Sequence, residues 1–176
     1  MIAVILSAQC TDERVNIVTA GLFPEYNTAE KMLSLGLDGL EEKIRTCGLY
    51  HSKAKNILAN CAILCEDYGG EVPQTFEELV KLPGVGRKTA NVLVSVLFDI
   101  PAIAVDTHVF RVSNRLQLAK GKTPLEVEKG TAEGHSQGMV EPGPSLAHLA
   151  RTRVCKARKP LCDECFLSDL CPGKSK

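Results

Sequence analysis

The most informative segment of the chain is an apolar run interrupted by proline and glycine: Leu79-Val80-Lys81-Leu82-Pro83-Gly84-Val85-Gly86-Arg87-Lys88-Thr89-Ala90-Asn91-Val92-Leu93-Val94. Because the residue before a proline disfavours the α conformation, a helix that begins at Thr75 should end by Pro83. Gly84 and Gly86 permit a tight turn with positive φ. A second helix then begins, and the N–H groups of a helix N-terminus suit a backbone phosphate. An ordinary corner between two helices would use the same residues.

The remainder of the sequence is also typical of helices. A predicted helical face, with Asn, Lys and Glu opposite it, collects the apolar residues Ala54, Ile57, Leu58, Cys61 and Cys65. We interpret its two cysteines as buried small hydrophobic residues. Thr75 and Thr123 begin capping boxes, and Pro124 occupies the first helical position after the second. Alternating strands and internal repeats are missing from the pattern, so the predicted fold class is all-α.

Composition limits the classes of protein that the chain can belong to. The 176 residues are 44% hydrophobic, which is enough to bury a core, and the 21 basic residues are balanced by 21 acidic ones. A disordered tail and a globally basic nucleic-acid binder are therefore excluded, although local basic patches are not. No apolar run approaches ~20 residues, and Met1 to Leu6 is too short for a signal peptide. We expect no membrane partner.

Four of the eight cysteines lie near the end of the chain with the spacing Cys155-x6-Cys162-x2-Cys165-x5-Cys171. Without a secretory signal, such a group indicates a metal centre rather than disulfides, and hence an intracellular, cytoplasmic protein. Four thiolates can hold zinc or an iron–sulfur cube. Zinc ribbons usually pair two short CxxC knuckles, whereas this group has one short and two long spacings. The spacing favours a [4Fe–4S] cluster over zinc.

Further motifs extend the pattern along the chain: Leu6-Ser7-Ala8-Gln9-Cys10-Thr11-Asp12, Gly48-Leu49-Tyr50-His51-Ser52-Lys53-Ala54, Ala104-Val105-Asp106-Thr107-His108-Val109-Phe110-Arg111-Val112 and Ala157-Arg158-Lys159-Pro160. With them the chain resembles the endonuclease III family of helix–hairpin–helix DNA glycosylases and AP lyases. The resemblance covers nearly the whole chain outside 130–153. It implies a two-lobed fold: a helical lobe over 1–101 with the hairpin at about 76–94, and a cluster lobe over 102–176 with the iron–sulfur loop at 155–171.

The resemblance also implies an activity in base excision repair. Members of this family are bifunctional DNA N-glycosylases and β-elimination lyases that remove oxidised pyrimidines from duplex DNA. Lys88 matches the nucleophile, which forms a Schiff base with the sugar, and Asp106 matches the carboxylate that stabilises charge on it. From the residues alone, Asp106 would be the N-cap of a helix over 107–118 and Lys88 an exposed helix lysine. The expected partner is double-stranded DNA with a damaged base or abasic site, bound by a monomer.

Several further residues match DNA contacts of the family. Gln9 and Leu49 match the residues that fill the duplex after a nucleotide is extruded; without the resemblance they would be a helix-end amide and a core leucine. Backbone groups of the hairpin and two basic residues between the first cysteines match phosphate contacts: Gly84, Val85, Gly86, Arg158 and Lys159. The cluster would hold this basic loop in shape rather than perform redox chemistry in excision.

Two alternative functions remain open at this point. Adenine-specific monofunctional glycosylases resemble the chain in hairpin and cysteine spacing, but they carry a small hydroxyl residue at the position of Lys88. Lys88 therefore favours the lyase branch. The second alternative is a catalytically inactive fragment that binds DNA, which salt-dependent binding without a covalent intermediate would support.

Two regions depart from the family pattern. The chain opens inside a helix that another helix normally precedes, and we interpret this as an N-terminal truncation or a misassigned start. Residues 130–153 do not resemble the family, although the flanking matches keep its spacing, and we interpret them as a compensated frameshift. Codons permitted for Met139-Val140-Glu141, read one base later, encode two tryptophans, a residue absent from the chain. The segment as written predicts a flexible linker over 130–144.

Overall fold

The computed structural model describes residues 1–135 and 154–174, and in this part of the chain it contains helices and no β-strand. The helices are α1 (Ile2–Ser7), α2 (Asp12–Leu22), α3 (Ala29–Ser34), α4 (Gly36–Ile44), α5 (Tyr50–Asp67), α6 (Phe76–Leu79), α7 (Arg87–Phe98), α8 (Thr107–Leu116) and α9 (Pro124–His135), followed by 3-10 turns at Cys162–Glu164 and Ser168–Leu170. The predicted all-α class is confirmed. None of the helices described is long and apolar enough to cross a membrane.

The chain divides into two compact units, Met1–Ile100 and Pro101–Lys176. In the first unit α5 is central and packs against α1, α3 and α4, while α7 packs against α1 and α6. Its core contains large side chains with almost no exposed surface: Leu6, Leu22, Met32, Leu40, Ile44, Ile57, Leu79 and Leu93. Because these residues hold the helices firmly, they also fix the turns between them.

The second unit has a smaller core. α8 packs against α9, and a group of buried and half-buried apolar side chains lies around them: Val105, Ala119, Val127, Ile103, Val109 and Phe110. The rest of this unit that the structure describes, residues 154–174, is a loop with the two 3-10 turns.

Both predicted helix caps are confirmed. The Glu78 N–H donates to Thr75 Oγ1 at 3.3 Å, and the Glu126 N–H donates to Thr123 Oγ1 at the same distance. Pro124 is the first residue of α9, where its missing N–H costs nothing. α6 ends at Leu79, ahead of Pro83 as the sequence predicts.

The predicted linker is wrong where it begins. Residues 130–135 are the last part of α9 rather than a flexible segment. The fully buried Val127 anchors the helix, and Gly130 packs closely on the turn that follows α8, since a Cβ at this position would lie 3.2 Å from Ala119 Cβ. The remainder of the altered segment, 136–153, lies outside the described residues. The helix predicted over 107–118 ends at Leu116, because Gln117 adopts a left-handed φ of 57°.

The polar side of α5 was predicted incorrectly. Ala54, Ile57 and Cys61 are buried as expected. Two polar residues that the pattern assigned to the solvent face are buried as well, Lys53 with 4% of its surface exposed and Asn60 with none. Buried polar groups need hydrogen-bond partners, so these two residues indicate where α5 holds other parts of the fold.

Candidate functional site

The hairpin between α6 and α7 is a tight turn anchored by its own side chains. The Val85 N–H donates to the Leu82 carbonyl at 3.0 Å, and both side chains are buried. Gly84 and Gly86 are exposed on either side of Val85. Val85 can therefore offer a ligand only its backbone, while the two glycines leave that backbone open to close approach.

The structure requires glycine at one of the two hairpin positions and not at the other. Gly84 has a φ of +75°, and a Cβ there would lie 2.5 Å from Asn56 Nδ2. Gly86 has a φ of −86° and is the N-cap of α7, and a Cβ there would meet nothing within 4 Å. The prediction of positive φ is thus confirmed for Gly84 and wrong for Gly86.

Two side chains of α5 contact the hairpin. Asn60 Nδ2 donates to the Pro83 carbonyl at 2.9 Å, and Asn56, one turn earlier, lies against Gly84. Sequence reasoning missed both residues. Amide side chains on a helix ordinarily face solvent. Here their partners are a backbone carbonyl and a glycine of the hairpin, which is distant in the sequence.

Lys88 is the second residue of α7, and it is exposed. Its neighbour Arg87 has a different environment, because the Arg87 guanidinium lies 4.7 Å from the centre of the Phe76 ring in a cation–π contact. The hairpin and the start of α7 therefore present Lys88 at a helix N-terminus, where the helix dipole favours negative ligands.

Two exposed turns carry the residues predicted to enter the duplex. Gln9, after α1, has a φ of 52°, and Leu49, before α5, has a φ of 59°. Leu49 is 58% exposed, so the interpretation of a core leucine is wrong. A positive φ is uncommon for residues other than glycine, because it strains the backbone. It persists where the surrounding structure enforces it, often at binding sites.

The structure brings these two turns into contact. A Cβ on Gly48 would lie 2.8 Å from the Gln9 carbonyl oxygen, so glycine is needed for the backbones to approach. The buried Lys53 also fixes this region, because its Nζ donates to the Leu6 carbonyl at 2.8 Å. That carbonyl belongs to the last turn of α1, whose oxygens lack partners within the helix. Lys53 is a second residue that the sequence pattern missed.

Asp106, in the second unit, is the N-cap of α8. Its Oδ1 accepts hydrogen bonds from the His108 N–H at 2.9 Å and the Val109 N–H at 2.7 Å. The capping interpretation of this residue is therefore confirmed. These bonds fix the half-buried carboxylate at the positive end of α8, and the catalytic role stays a prediction.

Two arginines of α8 hold the start of the cysteine loop, defined as residues 154–174. Arg111 Nε and Nη2 both donate to the Cys155 carbonyl, at 3.1 and 2.8 Å. Arg115 Nη1 donates to Cys155 Sγ at 3.2 Å and to the Lys156 carbonyl at 2.7 Å. Gly173 packs against the same helix, since a Cβ there would lie 2.7 Å from the Arg115 carbonyl oxygen.

None of the four clustered cysteines is in a disulfide, and all four line one cavity that is partly open to solvent. Across residues 1–135 and 154–174, no group of three or more His, Cys, Asp or Glu side chains is placed to hold a metal ion. The ligands of an iron–sulfur cube bind different iron atoms and do not converge on one point. A shared cavity lined by Val112, Leu116, Leu161 and Leu167 beside the four thiols fits such a cluster.

The predicted basic contacts lie in the first part of the cysteine loop. Arg158 and Lys159 are both exposed, and Lys159 adopts a left-handed φ of 50°. Because the arginine-held carbonyls directly precede them, their backbone position depends on α8.

The fold and these two regions define a class of protein. Residues 2–136 match the family model of the HhH-GPD superfamily of base excision DNA repair proteins. Residues 155–171 match the model of the iron–sulfur binding domain of endonuclease III.

Similarity to individual proteins narrows the class. Endonuclease III of Rickettsia felis is 50% identical over 171 residues, which are 97% of this chain and 80% of the relative. Endonuclease III of Escherichia coli strain K12 is 48% identical over 176 residues, 100% of this chain and 83% of the relative. A solved trapped endonuclease III–DNA covalent intermediate is 47% identical with a TM-score of 0.81, covering 98% of this chain and 81% of that one. The chain belongs to the endonuclease III family.

Membership in this family confirms the predicted activity, the predicted binding of DNA and the predicted cofactor. The chain is a bifunctional DNA glycosylase and AP lyase for oxidised pyrimidines, it binds DNA, and it carries a [4Fe–4S] cluster. The comparisons do not support the predicted truncation or the predicted frameshift.

Proposed function

We propose that Lys88 is the nucleophile of the glycosylase and lyase reactions, that Asp106 is the carboxylate that stabilises charge on the sugar, and that the substrate is duplex DNA with a damaged base or abasic site, bound by a monomer. The observation that carries the proposal is the exposed position of Lys88 on the first turn of α7, directly after the hairpin. An exposed amine next to a phosphate-binding turn can reach a sugar whose phosphate that turn holds.

In this reaction the Lys88 amine attacks the anomeric carbon while the bond from that carbon to the base breaks. The bond between the anomeric carbon and the ring oxygen then breaks. This opens the sugar and leaves a Schiff base between its anomeric carbon and Lys88. The Schiff base acidifies the neighbouring carbon, whose proton is removed as the bond to the 3′ phosphate breaks. A carboxylate such as Asp106 stabilises the positive charge that develops on the sugar during the first step.

The exposed turns supply the grip on DNA. We assign phosphate binding to the backbone of Gly84, Val85 and Gly86, since the buried Val85 side chain leaves only main-chain groups available there. Gln9 and Leu49 would fill the space that the extruded nucleotide leaves, an apolar wedge beside an amide that can pair with the orphaned base. Arg158 and Lys159 would contact phosphates from the cysteine loop.

We assign the cluster ligands to Cys155, Cys162, Cys165 and Cys171, because all four line the same cavity and none is in a disulfide. When bound, the cluster supplies four metal–thiolate bonds that hold the loop in shape. Arg115 contributes from the protein side, through its hydrogen bonds to Cys155 Sγ and the following carbonyls.

Borohydride trapping on duplex DNA with an abasic site tests the nucleophile. Borohydride reduces a Schiff base to a stable cross-link, so the full chain should give a covalent band that Lys88→Ala abolishes. A trapped covalent intermediate of a 47% identical relative supports a covalent step here. Lys81→Ala is the matched control, because Lys81 is an exposed lysine just before the hairpin, and its band should persist.

The outcomes separate the alternatives. A band that survives Lys88→Ala would assign the nucleophile to another amine. Salt-dependent DNA binding with no band in the unaltered chain would support an inactive DNA-binding protein instead.

Asp106→Asn tests the carboxylate separately from the cap. Asparagine caps helices as well as aspartate does, so the melting temperature should hardly change. Excision of an oxidised pyrimidine should fall by about 10²-fold or more if the charge stabilises the transition state. Equal loss of stability and activity would reduce Asp106 to its capping role.

A further inference from the structure

Two cysteines outside the cluster lie directly beside the turns that carry Gln9 and Leu49. Cys10 follows Gln9, and Cys47 precedes Gly48 and Leu49. After burial, the neighbouring Cys10 thiol is the largest cause of the raised pKa of Cys47, so the two side chains lie near each other. Cys47 is buried with 1% of its surface exposed, whereas Cys10 is half-buried. The pair therefore consists of one accessible and one protected sulfur.

The backbones of the two turns that carry these cysteines are in contact as well. The Gly48 Cα lies so close to the Gln9 carbonyl that a Cβ would be 2.8 Å from its oxygen. Each cysteine is also fixed within its own turn, since the Cys10 N–H donates to the Ser7 carbonyl at 3.2 Å and the Cys47 N–H to the Ile44 carbonyl at 2.8 Å. The contact between the two backbones therefore brings the residue after Gln9 and the residue before Gly48 close together, which a disulfide requires.

The environment gives the two sulfurs different reactivity. Burial and then the neighbouring Cys10 thiol raise the pKa of the Cys47 thiol, so it stays protonated. The positive charges of Lys53 and Arg14 act in the opposite direction and lower the pKa of Cys47, but by less. Because Cys10 is half-buried and Cys47 is buried, Cys10 is the sulfur that meets an oxidant in solution, and Cys47 is the one that resolves the product.

We propose that Cys10 and Cys47 are a redox-active thiol pair, which a small disulfide such as oxidised glutathione converts into a disulfide bond joining the two turns. The Cys10 thiolate attacks one glutathione sulfur, which forms a mixed disulfide and releases one glutathione thiolate. Cys47 then loses its proton and attacks the Cys10 sulfur, which releases the second glutathione. Two protein thiols are oxidised, and one glutathione disulfide is reduced to two thiols.

The consequence for DNA binding rests on the proposed function of Gln9 and Leu49. The bond would tie together the turns that carry these residues, so that their separation could no longer change as they enter a duplex. The disulfide itself does not depend on that assignment, because it follows from the contacts of the two cysteines.

Mass spectrometry of the cluster-loaded protein, incubated with oxidised glutathione and digested without reduction, tests the pair. We expect the intact mass to fall by two hydrogen atoms and a cross-linked peptide to join Cys10 and Cys47, both reversed by dithiothreitol. Cys47→Ser should instead accumulate a glutathione adduct on Cys10. The iron-to-protein ratio, measured before and after, shows whether the cluster thiols took part.

A second thiol pair supplies the matched control. Cys61 and Cys65 lie one turn apart on α5. Burial raises the pKa of Cys61 to about 11, and burial and the nearby Glu30 carboxylate raise the pKa of Cys65. The double variant Cys61→Ser, Cys65→Ser should keep the Cys10–Cys47 cross-link. A stable adduct on Cys10 in the unaltered chain with no cross-link, or a cross-link confined to other cysteines, would overturn the proposal.

One further variant separates this proposal from the proposed function. Leu49→Ala should lose lesion excision while keeping the disulfide. If the disulfide forms and Leu49→Ala retains full excision, the wedge assignment fails and the thiol pair stands.

Discussion

The hairpin and the cysteine loop are both non-helical segments proposed to contact DNA, yet they are held by different means. The hairpin buries the side chains of Leu82 and Val85, and α5 satisfies one of its carbonyls through Asn60. In the described cysteine loop, residues 154–174, no residue is buried. Its backbone is held instead by hydrogen bonds from Arg111 and Arg115 and, in our proposal, by the cluster that its four thiols bind.

The two segments obtain their shapes from different interactions. Burial of apolar side chains ties the hairpin to the core of the first unit, so the hairpin should be ordered whenever that core is folded. A loop without buried side chains gains little from the hydrophobic effect, and metal–thiolate bonds must supply the missing free energy. The following predictions test this contrast, beginning with the largest expected effect.

Removal of one cluster ligand should have the largest effect. In Cys162→Ser we expect loss of the cluster, seen as loss of iron and of visible absorption, and rapid proteolysis within the cysteine loop. The first unit should keep its helical signal, because its core is separate. Cys65→Ser, a cysteine of α5, is the control and should retain iron. Full iron content in Cys162→Ser would show that this cysteine is not a ligand.

Gly84→Ala should be the most damaging single change in the hairpin. The positive φ costs a non-glycine residue about 1–3 kcal/mol, and the new Cβ would also displace the Asn56 side chain. Chemical denaturation measures the loss. Gly86→Ala is the matched control and should change the free energy of unfolding by less than about 1 kcal/mol, since its φ is negative and its surroundings are open.

Adding Asn56→Ala to Gly84→Ala separates the two causes. The double variant should recover the part of the loss that comes from overlap and leave the part that comes from φ. Full recovery would show that the backbone conformation at Gly84 costs alanine nothing.

Asn60→Ala should destabilise the first unit by about 1–2 kcal/mol, because the partly buried Pro83 carbonyl loses its donor. Part of the loss is offset, since Asn60 Oδ1 is itself buried without a partner in the described chain and disappears with the side chain. Denaturant unfolding gives the loss, and hydrogen exchange at Val85 locates it. An unchanged exchange rate in the hairpin would contradict the anchoring role of α5.

The smallest effect is expected for Arg115→Lys. Lysine keeps the charge but cannot reach Cys155 Sγ and the Lys156 and Ala157 carbonyls together, as the planar guanidinium does. We expect about a tenfold faster transfer of iron to a chelator, corresponding to about 1.4 kcal/mol. Lys156→Ala, an exposed residue of the same loop, serves as control. Equal rates in the two variants would mean that the cluster alone holds the loop.

Local patterns in the sequence predicted much of the fold. The hairpin, the caps at Thr75 and Thr123 and the cysteine spacing each depend on residues close together in the chain, whose physics is the same in any fold. The predicted linker from Gly130 failed for the opposite reason. A glycine-rich composition suggested flexibility, but packing of Gly130 on Ala119 and burial of Val127 keep that part helical.

The helical class, the hairpin, the cysteine group and, through the motifs, the family could all be predicted from the order of the residues. The burial of Lys53 and Asn60, the exposure of Leu49 and the contact of Gly48 with Gln9 result from the packing of the folded chain. Lys53 donates to a carbonyl 47 residues away, and no local pattern reports such a partner. A polar side chain is buried when the fold brings it an acceptor, so its environment is a property of the packed chain.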